Sequence, residues 1–278
     1  MLAWSLVTIL GLGFTGRRVA RGLLARGVPV FAAARGLERF ADLAAAGLRL
    51  AEWRPDGGIP DGFPVHSAML YSIPPTPADD IWLRHFRERL APSRIVYISS
   101  TGVYGVQTDV NEETVAAPND ERGRLRLTAE TEIADGPWTT LILRAAAIYG
   151  PGRGIHTAIR EGRMPRGSGS GVVSRIHVDD LAALADAALF SDLEGAFPVA
   201  DDAPCSSEEI AAWCREYFGM PAGEASRELA ITGRRVDGRK IRELLESTLK
   251  YPTWKTGVPA SITSEQTGER FRQAPEQR

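Results

Sequence analysis

Apolar residues along this chain fall into short, nearly continuous runs, separated by stretches in which they recur every three or four positions. The runs Leu6 to Leu10, Val28 to Ala34, Ala68 to Tyr71, Ile95 to Ser99 and Leu141 to Arg144 each predict a β-strand. The stretches between them, Thr15 to Arg26, Leu37 to Ala46, Asp79 to Leu90 and Arg122 to Ala134, predict helices. Runs that are apolar throughout suit strands covered on both faces. Right-handed crossovers then place helices on either side of a parallel sheet. Residues 1–150 therefore read as an α/β, doubly wound Rossmann domain.

After Tyr149-Gly150-Pro151 the texture changes, and Gly152, Gly154, Gly167, Gly169 and Gly171 crowd into a loop-rich excursion. Asp179 to Phe190 returns to helical spacing and Ala196 to Ala200 to a strand, so about 177–200 is assigned back to the first domain. Ser206 with Glu209 three residues on is a capping-box pattern that starts a helix over Ser207 to Phe218, and Gly238 to Leu249 predicts another. Residues 151–176 and 201–263 make a smaller C-terminal substrate lobe. The tail 264–278, rich in Gln, Glu, Arg and Pro, is expected to be flexible. No internal repeat is visible.

Composition narrows the partners. A net charge of −2 over 278 residues gives no field that gathers nucleic acid or an anionic membrane, which leaves small molecules or protein chains as partners. No apolar run approaches the ~20 residues of a membrane span, and the N-terminus lacks a secretory pattern, so the cytoplasm is the default location. Cys205, Cys214 and the four histidines show no ligand spacing, and no metal is expected.

Leu6 to Leu10 feeds directly into Gly11-Leu12-Gly13-Phe14-Thr15-Gly16, and a helical stretch follows. That is a G-x-G-x-x-G fingerprint in its required strand-turn-helix context, and it predicts a dinucleotide site. Gly11 permits the turn, Gly13 admits a pyrophosphate close to the backbone, and Gly16 lets the helix pack. Amides of the loop, including those of Phe14 and Thr15, and the positive helix end then hold the phosphates. The second strand ends at Arg35, with Arg39 one turn later, where NAD enzymes usually carry an acid. A guanidinium there suits a 2′-phosphate and favours NADP, with NAD as the alternative. Tyr71, Ser72, Ile73 and Pro74 leave a strand at the carboxyl edge of the sheet and are expected along the cofactor's path.

Further blocks add to this one. Tyr97-Ile98-Ser99-Ser100-Thr101-Gly102-Val103-Tyr104-Gly105, Leu143-Arg144 followed by Ile148-Tyr149-Gly150-Pro151-Gly152, and Arg175-Ile176-His177-Val178-Asp179-Asp180 occur in order. With Gly11 to Gly16 they resemble the extended short-chain dehydrogenase/reductase superfamily of epimerases and dehydratases over nearly the whole chain to about Pro259. Tyr251-Pro252-Thr253-Trp254 adds a likeness to its atypical, YeeZ-like branch. The resemblance implies a dinucleotide-dependent oxidoreductase, epimerase or dehydratase acting on a polar small molecule, as a monomer or homodimer. It places Ser99 and Ala146 beside the cofactor and gives Ser100 the binding of the reacting oxygen.

The sequence then departs from that pattern. Matching Gly123-Arg124-Leu125-Arg126-Leu127-Thr128-Ala129-Glu130 to the family puts Arg122 where the catalytic tyrosine belongs and Arg126 where its lysine partner belongs. Arg126 keeps the positive charge beside the nicotinamide ribose. Arg122 stays protonated and cannot exchange a proton. Three consequences compete. Tyr104 or water moves the proton while Arg122 stabilises negative charge; Arg122 clamps a carboxylate or phosphate of the substrate; or catalysis is lost and the protein is an NADP-binding regulator or scaffold. His177 is expected to anchor the substrate lobe, and Arg144 is read equally as structural or functional.

Overall fold

The predicted apolar runs assemble into one parallel sheet. A computed structural model of the chain describes residues 4–52, 62–76, 86–163, 171–221 and 233–268. Its main strands are β1 (Val7–Leu10), β2 (Val30–Ala34), β3 (Arg49–Glu52), β4 (Ala68–Tyr71), β5 (Arg94–Ser100), β6 (Thr139–Ala145) and β7 (Gly195–Val199). They lie in the order β7-β6-β5-β4-β1-β2-β3, every neighbouring pair parallel. From β1 the chain builds outward first through β2 and β3, then on the other side through β4 to β7. A crevice for ligands opens where that direction reverses, outside the carboxyl ends of β1 and β4. Leu10 is level with both Ala33 and Tyr71, so the loops after β1, β2 and β4 leave the sheet side by side.

The helices are α1 (Gly16–Ala25), α2 (Ala41–Ala45), α3 (Glu121–Ala134), α4 (Ile155–Arg160), α5 (Val178–Leu189), α6 (Ser207–Tyr217), α7 (Arg239–Leu244) and α8 (Trp254–Gln266). One face of the sheet packs Val7, Ile9, Val96 and Leu143 against Val19 and Leu23 of α1 and Leu181 and Leu184 of α5. The opposite face packs Leu10, Ile95 and Tyr97 against Ala129 and Ile133 of α3, with Trp138 closing the edge. This two-sided burial explains why the strand sequences are apolar at consecutive positions. A separate apolar cluster, built on Tyr149, Ile210, Cys214, Trp254 and Ile262, forms the smaller lobe.

Short strand pairs complete the fold, two of them linking the sheet-bearing part to the smaller one and one internal to the latter. Arg175–His177 pairs with Ala147–Tyr149, Cys205–Ser206 with Val172–Val173, and Arg235–Val236 with Asp109–Val110. Residues 178–199 include α5 and β7, the latter pairing in parallel with β6.

Several elements differ from the sequence expectation. β3 was not foreseen: it is a half-exposed edge strand. The helix expected over Gly238 to Leu249 stops at Leu244. Ser264 to Gln266, expected in a flexible tail, instead belong to α8, which buries Glu265 to 4% exposure; residues 269–278 of that tail lie outside the described residues. Most of the helix expected over Asp79 to Leu90 lies outside the described residues, which resume with a single wide helical turn at Phe86–Leu90. Among the described residues no helix is long and apolar enough to cross a membrane.

Candidate functional site

The three glycines of the first loop meet different surroundings. Gly11 has φ +100°, and a Cβ there would come within 2.8 Å of the Ser72 hydroxyl. A Cβ on Gly16 would lie 2.1 Å from the Gly11 carbonyl oxygen, so α1 can seat on the loop only without a side chain at that position. Gly13 is exposed, and a Cβ on it meets nothing within 4 Å. The first and last glycines are required by the fold itself, whereas Gly13 keeps open the ground in front of the α1 N-terminus. No acidic residue occupies the first turn of α1 and no side chain caps it, so its positive end faces that ground. Ser72 steadies the loop from β4, its hydroxyl donating to the Gly11 carbonyl at 2.8 Å. The ring of Phe14 lies under the Arg18 guanidinium, 4.4 Å from its centroid, and the Thr15 side chain is buried. These residues fit a dinucleotide diphosphate.

At the end of β2, Arg35 is exposed and makes no ion pair among the described residues. Arg39, also exposed, folds back to donate to the Arg35 carbonyl at 2.8 Å, while Arg17 donates to the Arg39 carbonyl at 2.9 Å. The strand end therefore gathers Arg17, Arg35 and Arg39, with Asp42 paired to Arg17 at 3.4 Å. Tyr71 turns inward, 3% exposed and stacked on Tyr97 at 5.3 Å, so its side chain belongs to the core, and any ligand there meets Ser72, Ile73 and Pro74.

The carboxyl end of β5 carries a buried polar network. The Ser99 hydroxyl donates to Glu130, and Glu130 receives a forked pair from Arg144 at 3.0 and 2.7 Å. Arg144 also donates to the Tyr104 hydroxyl at 3.2 Å. Tyr104 is fully buried, and burial pushes its phenol above the usual tyrosine range. Arg144 and Ser99 thus act within the protein, and Tyr104 has neither the exposure nor the acidity of a proton donor to substrate.

Ser100 is different. It caps the short turn Thr101–Tyr104 by accepting from the Gly102 amide, and it is half-exposed at the mouth. Helix α3 presses on that turn: a Cβ on Gly123 would lie 2.8 Å from the Gly102 carbonyl oxygen. Asp120 caps α3 by accepting from the Gly123 amide at 2.7 Å. One turn into the helix, the Arg126 guanidinium donates to the Ile98 carbonyl at 3.2 Å. Arg122, four residues earlier, lies on the same helix face and is exposed. Ala146 is buried just beyond β6, its amide donating to Val199. Ser100, Arg122 and Arg126 are thereby brought to one edge of the sheet.

The Arg175 to Asp180 block joins the lobe to the sheet. Arg175 donates to the Val173 and Cys205 carbonyls and to Ser207. His177 caps α5 through Nδ1, which accepts from the Asp179 amide; its Nε2 can then donate to Ser261, whose hydroxyl donates to the Gly257 carbonyl. Burial lowers the His177 pKa to about 4, so the ring is neutral. Asp180 accepts from the amides of Lys250 and Tyr251. His177 is placed as a lobe anchor. Near it, burial raises Asp201 to about 7, and its Oδ2 finds no partner among the described residues.

Three contributors escaped sequence reasoning. Glu130 ends the very block that aligned Arg122, and its acidic character was the available signal. Arg234 donates to the carbonyls of Thr101, Gly105 and Gln107, gripping the turn that carries Ser100. Glu265 accepts from the Gly152 amide, but lay in the stretch expected to be flexible.

No family model matches the chain. A curated relative, the 3-diazoavenalumate denitrifying reductase of a Streptomyces species, is 31% identical over 159 residues. The match spans 48% of this chain and 51% of that protein, about half the length of each. Among solved structures, a functionally unknown conserved protein of Silicibacter pomeroyi is 27% identical, with a TM-score of 0.75 over 95% of this chain and 98% of that one. The dTDP-glucose 4,6-dehydratase of Bacillus anthracis, solved with NAD, is 14% identical, with a TM-score of 0.79 over 96% and 98%. The chain has the fold of the NAD-dependent epimerases and dehydratases, the extended short-chain dehydrogenase/reductase architecture.

Proposed function

We propose that this chain, built on the extended short-chain dehydrogenase/reductase fold, is an NADP-linked reductase of an anionic small molecule. The observation that carries the reading is Arg122 on the same face of α3 as Arg126, in the place the fold's relatives give to an acid–base tyrosine. When bound, the dinucleotide supplies a hydride. The chain's own part is binding and electrostatics. Amides from Gly11 to Gly16 hold the diphosphate, and Arg35 at the end of β2 meets a 2′-phosphate, which selects NADP over NAD. Ser100 donates to a substrate oxygen. Arg126, fixed on the Ile98 carbonyl, keeps a positive charge at the inner end of the crevice. Arg122 attracts the substrate's carboxylate and stabilises negative charge as it develops.

A permanent cation cannot deliver a proton, so the chemistry best matched to this site leaves no alkoxide to be protonated. Reduction of a diazonium carbon is of that kind, because uptake of a hydride and loss of dinitrogen complete the balance without an acid. The Streptomyces relative, a reductase of a diazo compound, supports reduction over epimerisation.

The test is turnover of NADPH by the purified protein against carboxylate-bearing diazonium compounds, keto acids, aldehydes and sugar nucleotides. Oxidation with a carboxylated acceptor is expected, with Arg122→Gln raising KM far more for the acid than for its methyl ester. Silence across the panel with dinucleotide binding intact would instead support a non-catalytic NADP-binding regulator. Absence of dinucleotide binding would overturn both.

A further inference from the structure

The geometry points to Arg153 as a further dinucleotide-binding residue, held over the phosphate loop by Glu265 as its positioning residue; this rests on the dinucleotide reading above. Arg153 is exposed, and its guanidinium carbon lies 5.4 Å from the centroid of the Phe14 ring. Among the described residues it pairs with no carboxylate. Phe14 directly follows Gly13, the glycine that faces open ground, so the charge of Arg153 stands beside the place where a diphosphate would lie.

The segment that carries Arg153 is built to stay there. Gly150 and Arg153 exchange backbone hydrogen bonds of 2.9 and 3.0 Å, which closes a tight turn with Pro151 and Gly152 at its tip. The turn is pressed onto the loop from the lobe side: a Cβ on Gly150 would lie 2.5 Å from Val178 of α5 and 3.2 Å from the Phe14 ring. At the tip, the Gly152 amide donates to Glu265, which reaches in from α8. Glu265 also receives Arg160 and stands 3.2 Å from Nε2 of His156. Burial and Arg160 hold His156 down to about 4, so it contributes a neutral ring at neutral pH. A contact thus runs from the C-terminal helix, through one carboxylate and one amide, to a turn lying on the first glycine loop.

An exposed arginine is required neither by the turn nor by the lobe core, whereas a cation beside the diphosphate gains charge-assisted contacts once the ligand arrives. Glu265 acts through the turn, so its effect on binding should vanish when Arg153 is already gone.

The experiment is titration of full-length protein with NADPH, followed by calorimetry, for wild type, Arg153→Met, Arg153→Lys, Glu265→Gln and the double variant Arg153→Met/Glu265→Gln. Arg153→Met should weaken binding roughly tenfold or more, the scale of a lost charged hydrogen bond. Arg153→Lys should restore part of that, and the salt dependence of affinity should flatten in Arg153→Met and in the double variant but not in Glu265→Gln. Glu265→Gln should weaken binding severalfold, and the double variant should be no weaker than Arg153→Met. Unchanged affinity in Arg153→Met would overturn the inference, as would strictly additive losses in the double variant. If Glu265→Gln does not fold, the two Arg153 variants decide the cofactor role, since that side chain is exposed. If wild type itself binds no pyridine dinucleotide, the functional reading has failed rather than this one.

Discussion

Arg144 and Glu130 face each other in a forked ion pair where β6 ends, with an Arg144 Nη2 to Glu130 Oε2 distance of 2.7 Å and both side chains largely buried. The pair crosses from the sheet to α3 and therefore fixes the helix that presents Arg122 and Arg126. It also engages the Arg144 guanidinium with Glu130 and the Tyr104 hydroxyl inside the protein.

Removing one member of such a pair strands the other in a low-dielectric interior. Glu130→Gln should lower unfolding free energy by about 3 to 5 kcal/mol, read from denaturant midpoints, and should loosen α3 enough to reduce substrate affinity. Arg144→Met combined with Glu130→Leu should recover much of the stability. A loss in Glu130→Gln below about 1 kcal/mol, the range of a surface pair, would show that the network is wetter than its burial implies.

The first glycine loop offers a clean separation of fold from function. Gly16→Ala places a methyl 2.1 Å from a backbone oxygen and should unfold or grossly destabilise the protein. Gly13→Ala meets no protein atom within 4 Å and should melt with wild type while losing dinucleotide affinity. Equal melting of both variants, or undiminished binding by Gly13→Ala, would refute this assignment of roles.

Cofactor choice is expected to reside in Arg35. Its replacement by Ala should weaken NADPH by roughly tenfold or more, as a lost charged contact of about 1.5 to 3 kcal/mol implies, and leave NADH almost unchanged. If both coenzymes weaken together, Arg35 shapes the loop rather than reading the 2′-phosphate.

Stability should fall on mild acidification. Burial depresses His156 and His177 to about 4 from the usual 6.5, so between those values the unfolded chain takes up protons that the folded chain refuses. Each such proton costs about 1.4 kcal/mol per pH unit. Asp201 works in the opposite sense: burial raises it to about 7 from 3.8, so over the same window the folded state holds a proton the unfolded state has lost. Two histidines against one aspartate leave a net slope of roughly one proton in the upper part of the window; lower down, Asp180 and Asp186, also raised by burial, add to the opposing side. Asp201→Asn should remove the opposing group and steepen the acid loss toward two protons. A flat profile in the upper part of that window, just below pH 6.5, would contradict these assignments.

The inner sheet was legible because its strands, covered on both faces, carry nearly continuous apolar runs such as Ile95 to Ile98 and Leu141 to Leu143. β3 was not, since at the sheet edge Arg49 and Glu52 flank only two apolar residues. Helix α8 was hidden by Gly257 and Pro259, which disfavour a helix locally. Gly257 is there for a tertiary reason: a Cβ would lie 2.1 Å from the Tyr149 hydroxyl. In the candidate site, the glycine spacing marked a loop whose first and last glycines the packing requires, and the block ending at Glu130 falls on α3. Burial is not written in spacing, however, so Tyr104 read as an available phenol and Tyr71 as a cofactor contact, although both side chains are enclosed. Glu265 was missed because a Gln-, Glu- and Arg-rich ending looks like solvent-facing chain until its partners at Gly152 and Arg160 are known.

The grip of Arg234 on the carbonyls of Thr101, Gly105 and Gln107 bears on how this scaffold can be recombined. Homologous substrate-specifying modules cannot be transplanted as independent cassettes, because a residue from the later half of the chain shapes the turn after β5 in the earlier half. A productive chimera must exchange 101–107 and the stretch around Arg234 as a matched set, and directed diversification of specificity will meet epistasis between them before it meets the pocket walls.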